Sequence, residues 1–140
     1  MSHEHIALVD WAAFAETRGS LGTSFMRILG YFFEDGLKSI GQIEQAMRLD
    51  NAAGLILPAH TLKSEARQFG GERLGQLAED IEMHGRNCVE SRQAPSQFVA
   101  QVVALRPLFA ETMAAIEREA NPLASRRAPG GPGGFGRRVA

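Results

Sequence analysis

The sequence predicts an all-α protein, an antiparallel up-down four-helix bundle with a short N-terminal helix and a kinked C-terminal one. Three observations carry that reading. Apolar residues recur at helical spacing from Val9 to Ile116. No stretch alternates β-branched residues as a strand would. The breaks between periodic stretches are short, so successive long helices must lie as antiparallel neighbours. A chain of 140 residues is large enough for one domain with its own core.

The first helix is expected to start at Asp10 as N-cap and to bury Trp11 and Phe14 before Arg18-Gly19. Ser20-Leu21-Gly22-Thr23 then breaks the chain. A second helix directs Phe25, Ile28, Leu29, Phe32 and Phe33 to the core, and Asp35-Gly36 marks a boundary or kink. Beyond it Leu37, Ile40, Ile43 and Met47 form a further helical face. Asp50-Asn51 ends that face, and Asn51 is placed to cap the next segment. A helix over residues 52–69 follows, with Leu55, Ala59, Leu62, Ala66 and Phe69 at steps of four and three as its buried stripe. Gly70-Gly71 stops it, because glycine accepts positive φ. The next helix turns Leu74, Leu77, Ala78, Ile81, Gly85 and Cys88 inward. The last carries Phe98, Val102, Leu105, Phe109, Met113 and Ile116, with Pro95 near its start and a kink expected at Pro107.

Residues 1–120 are thus assigned to the bundle and 121–140 to a flexible tail. The tail holds four arginines, five glycines, three prolines and no acid. The whole chain carries a net charge of −1, a balance that argues against a dedicated nucleic-acid binder. Cys88 has no disulfide or metal-type companion and reads as a buried thiol. No uninterrupted apolar run is long enough to span a bilayer, and no basic flank precedes an apolar N-terminal region. A monomer in the reducing cytoplasm, without membrane attachment, is the expectation.

The chemistry concentrates around His60. It lies about 100° from the buried stripe and shares a row with Ile56, Lys63, Ser64 and Arg67, with Gln68 beside it. A solvent-facing imidazole with cations one and two turns away suits a phosphoryl group: the neutral ring is a competent nucleophile, and a nearby ammonium offsets phosphoryl charge.

The stretch from Leu21 to Glu82 resembles the histidine phosphotransfer (HPt) domain family of phosphorelays. The carrying residues are Ala-His-Thr-Leu-Lys at 59–63, Gly70 ten residues after the histidine, and the sequel Leu74, Leu77, Ala78 and Ile81-Glu82. The resemblance implies that His60 accepts a phosphoryl group from a receiver-domain aspartyl phosphate and passes it to another receiver aspartate. It further implies that Lys63 stabilises phosphoryl charge, that Glu82 orients the imidazole, and that Arg86 shares its face with Glu82. Ile56, Ser64, Arg67 and Gln68 would form the partner surface. Ser64 stands where the family commonly has glycine.

Implied partners are response-regulator receiver domains and a phosphodonor histidine kinase. No cofactor and no metal is expected, and no kinase activity of its own. The sequence has no P-loop or kinase glycine loop, and neither His60 nor His84 follows a glutamate at the Glu-x-x-His spacing of a metal-binding bundle. The rival reading is a helical module that docks on receivers without transferring phosphate. His84, His3 and His5 are expected to be boundary or terminal residues without a role.

Overall fold

The computed structural model describes residues 3–121. The tail assigned to 121–140 lies outside them, apart from Asn121. Five α-helices form: α1 (Trp11–Leu21), α2 (Phe25–Arg48), α3 (Ala52–Gln68), α4 (Glu72–Ser91) and α5 (Val99–Ala120). Single 3₁₀ turns at Gly22–Ser24 and Ser96–Phe98 precede α2 and α5, and no strand occurs among the described residues. The four long helices close a ring, since α3 packs on α2 and α4 while α5 packs on those same two neighbours.

Local chemistry sets the element ends. The Asp10 carboxylate accepts from the Ala12 and Ala13 N–H groups, both at 3.1 Å, and so caps α1. Asn51 caps α3 by accepting from Gly54 N–H at 3.0 Å. Gly70 ends α3 at φ +83°, and its carbonyl accepts from Asp10 N–H at 2.6 Å. One glycine therefore both turns the chain and anchors the N-terminal segment. Asp50 and Arg92 take the left-handed conformation at the ends of α2 and α4, positions where glycine is the usual residue.

Several expectations are corrected. Asp35-Gly36 is neither boundary nor break, because α2 runs unbroken from Phe25 to Arg48. Gly36 serves packing: a Cβ there would collide with the Phe109 ring of α5. Trp11, Phe33 and Leu37 are exposed. Trp11 meets the core only edge-on to Phe14, at 5.3 Å between centroids, and Phe33 lies at the rim against Phe109. Pro107 does lie inside α5 as expected, and α3 holds a second internal proline, Pro58. Pro58 has no N–H for the Gly54 carbonyl, so α3 lacks one hydrogen bond a turn before His60. His3 is not frayed: its Nε2 lies 2.5 Å from Asp80 of α4.

The core is continuous across all five helices. Phe14, Phe25, Phe69, Phe32 and Phe109 form an unbroken aromatic series, with Phe69 stacked on Phe32 at 5.2 Å between centroids. Cys88 is buried as expected. The segment Ser96–Ala120 is long and apolar enough to cross a membrane by length and composition. One face of it, Val102, Leu105, Phe109, Met113 and Ile116, is spent on the bundle interior.

Two glycines should respond oppositely to alanine. At Gly70 a Cβ is strained by the positive φ and would run into the Asp10 carbonyl, so Gly70→Ala should cost about 2 kcal/mol or more. Gly30 is exposed within α2, with open space around it, so Gly30→Ala should add about 0.5–1 kcal/mol. Urea denaturation midpoints of the two variants against the parent protein check both signs.

Candidate functional site

The α3–α4 interface is built close. On α4 the residues Gly75, Ala78, Glu82 and Gly85 fall three, four and three apart and are all buried, which makes them one stripe. A Cβ at Gly85 would meet the Ala52 carbonyl oxygen at 3.1 Å and Ile56 at 3.2 Å, and one at Gly75 would press on Arg67. These glycines let α4 lie against α3, and that approach carries Glu82 into the interior. Its side chain is only 3% exposed.

A buried carboxylate is costly unless its charge is met by partners. Glu82 has three. Arg86, four residues on, donates to Oε2 from Nη2 at 2.8 Å and from Nε at 3.3 Å. The Lys63 ammonium sits 2.8 Å from Oε1. His60 places Nδ1 3.1 Å from Oε2. Burial acts to raise the carboxyl, but Lys63, Arg86 and His60 together outweigh it and hold the group down at about 2. An ionised carboxylate only accepts hydrogen bonds, so the contact is satisfied by Nδ1–H donating from the ring. That tautomer leaves a lone pair on Nε2. The His60 side chain is half exposed, although Ala59 beside it is fully buried.

The remaining sequence-derived positions separate. Ile56 is half-buried and Ser64 exposed, each one turn from His60 on α3. Arg67 is drawn away towards α4, donating to Glu79 at 2.7 Å and to Gln76 at 3.3 Å. Gln68 is exposed at the end of α3, where its carbonyl accepts from Thr17 at 2.5 Å. Lys63 and Arg86 do meet at the site, but on Glu82.

Two exposed apolar side chains went unweighed, Leu57 one turn before His60 and Met83 next to Glu82. Their signal was legible, since Leu57 falls three residues before His60, opposite the buried stripe. His84 is half-buried, stacked on Phe98 at 3.9 Å and bonded to the Pro95 carbonyl at 3.2 Å. It pins the α4–α5 connection.

The sequence profile of the Hpt domain matches residues 27–121, which takes in α3, α4 and the Glu82 cluster. The chain belongs to the Hpt domain family. Membership assigns this Hpt domain a part in histidine phosphotransfer within phosphorelays. Its fold matches the crystal structure of histidine-containing phosphotransfer protein B from Pseudomonas aeruginosa PAO1, with a TM-score of 0.70 and 17% identity. That alignment covers 86% of this chain and 98% of the other. Among curated protein sequences none matches significantly.

A second carboxyl behaves in the opposite way. Burial, then the charge of Asp35 and the hydrogen bond with it, push Glu65 on α3 up to about 7. Being raised, Glu65 contributes stability in acid that is lost as pH climbs towards 7. Being depressed, Glu82 contributes stability above the ordinary carboxylate range that is lost as pH falls towards 2. Carboxyl ¹³C NMR should therefore find Glu65 titrating near neutrality and Glu82 still ionised below pH 3. A Glu82 midpoint in the ordinary range would mean that the cluster does not hold in solution.

Proposed function

We propose that this Hpt domain is a phosphoryl carrier in which His60 relays the group between receiver aspartates. The observation that supports this most is the pinned imidazole, a half-exposed ring with Nδ1 on the buried, ionised Glu82. In the accepting step the Nε2 lone pair attacks the phosphorus of an aspartyl phosphate. The Nε2–P bond forms as the P–O bond to the aspartate breaks, and the electron pair leaves with the carboxylate. The Nδ1 proton stays on the ring, whose positive charge is balanced by Glu82, as orienting acids do for histidine elsewhere. Transfer onward reverses these bond changes on a second receiver aspartate.

Lys63 and Arg86 act in two ways in this reading. They keep Glu82 charged, and they add cationic field beside the incoming phosphoryl group. Leu57, Met83 and Ile56 supply apolar contact around the histidine for receiver docking, and Ser64 lies on the same surface as a polar neighbour. The domain carries no nucleotide chemistry, so its phosphate traces back to a histidine kinase through a receiver. It works as a cytoplasmic monomer, a role supported by one self-contained core and a single buried thiol.

Incubation with a phosphorylated receiver should give acid-labile, base-stable label on the protein. His60→Gln should abolish it while leaving helical circular dichroism intact, because the half-exposed ring supports little packing. Binding of the receiver without any label in the parent protein would favour a docking module that transfers nothing.

Glu82→Gln keeps the shape but removes the charge, and its amide can offer its N–H₂ to Nδ1. It should slow phosphoryl acceptance by about tenfold or more, as expected when an orienting charge is lost. The same variant should move the His60 ring resonances in ¹H–¹⁵N spectra, since the partner of Nδ1 has changed. Transfer at the parent rate would remove Glu82 from the mechanism.

A further inference from the structure

We propose that the Ser64 hydroxyl is a ligand of the phosphoryl group on His60, a reading that rests on the carrier function above. The observation is how this hydroxyl is used. Ser and Thr inside a helix commonly satisfy themselves by donating to the carbonyl one turn back. Ser91 does so to Asn87 at 2.8 Å, and Thr112 to Leu108 at 2.7 Å. Ser64, like Ser20, Ser39 and Thr61, does not: it makes no such bond to the His60 carbonyl and no other hydrogen bond among the described residues. It is exposed, one turn along α3 on the side of His60 away from Glu82.

The neighbouring donors are already engaged. Lys63 is held on Oε1 of Glu82 and Arg86 on Oε2. Moving either fully onto a phosphoryl oxygen would strip a buried carboxylate of its counter-charge, which is expensive. Ser64 gives up only water. Side chains at i and i+4 have Cβ atoms about 5–6 Å apart, a gap that a phosphoryl group carried on the imidazole can span. A serine hydroxyl reaches it there as a neutral donor, whereas glycine or alanine offers none. Ser64 thus lengthens the life of phosphohistidine without altering the Glu82 cluster.

The test uses inorganic phosphoramidate to label the full chain with no receiver present, so docking plays no part. ³¹P and ¹H–¹⁵N NMR assign the label to His60 and follow its loss to water. Ser64→Ala and Ser64→Gly should each shorten the phosphohistidine half-life by about fivefold, the value of one modest hydrogen bond to a charged group. Ser64→Thr, which keeps the hydroxyl, should stay within about twofold of the parent. Thermal melts of the alanine and threonine variants establish that the bundle is intact. A half-life unchanged in Ser64→Ala, or a threonine variant as short-lived as the alanine one, overturns the role of Ser64 and leaves the carrier reading standing. Failure of the parent chain to take label at His60 overturns both.

Discussion

Everything distinctive about this bundle follows from one buried charge. Glu82 lies on the stripe of α4 that faces α3, a position where a neutral small residue would cost nothing. Because it is a carboxylate and ionised, the surrounding chain must supply donors to it, and it does so from both helices. Lys63 and His60 come from α3, and Arg86 comes from α4 itself. The imidazole is thereby fixed by a group that is itself fixed, so its orientation does not depend on a mobile surface side chain.

Helix α3 also takes part in the opposite solution to carboxyl burial, on its other side. Glu65 faces an acid across the α2–α3 contact and tends to take up a proton, while Glu82 faces two cations and stays charged. The contrast shows that burial alone does not decide ionisation here. The charge opposite decides it. A relay histidine benefits from the second arrangement, since a permanent anion next to Nδ1 favours one tautomer across the physiological pH range.

Much of this was legible in the residues. Periodicity located every long helix, and Asp10, Asn51 and Gly70 marked ends because their chemistry acts locally. The phrase around His60 pointed to the site, and the family resemblance pointed to Glu82, which α4 brings to it after the turn at Gly70-Gly71. What was not legible depends on partners distant in sequence. Gly36 read as a boundary or kink because its real constraint, the Phe109 ring, lies on another helix. Trp11 and Phe33 read as core because hydrophobicity says nothing about which side of a rim a ring occupies. The capture of Arg67 by Glu79 and Gln76, and of His3 by Asp80, needed the packing of α4 to become visible. Leu57 was a different case, available in the sequence as an apolar residue on a polar row.

The closeness of α3 and α4 also changes how genetic variation in this protein would read. Gly85 donates nothing, accepts nothing through a side chain and touches no phosphate, yet any larger residue there must push Ala52 and Ile56 aside. Such a push would draw Glu82 out of reach of His60 while every polar group of the cluster remained present. In a saturation screen, positions that silence the protein would therefore include residues with no chemistry of their own. Their phenotype would be that of a missing carboxylate.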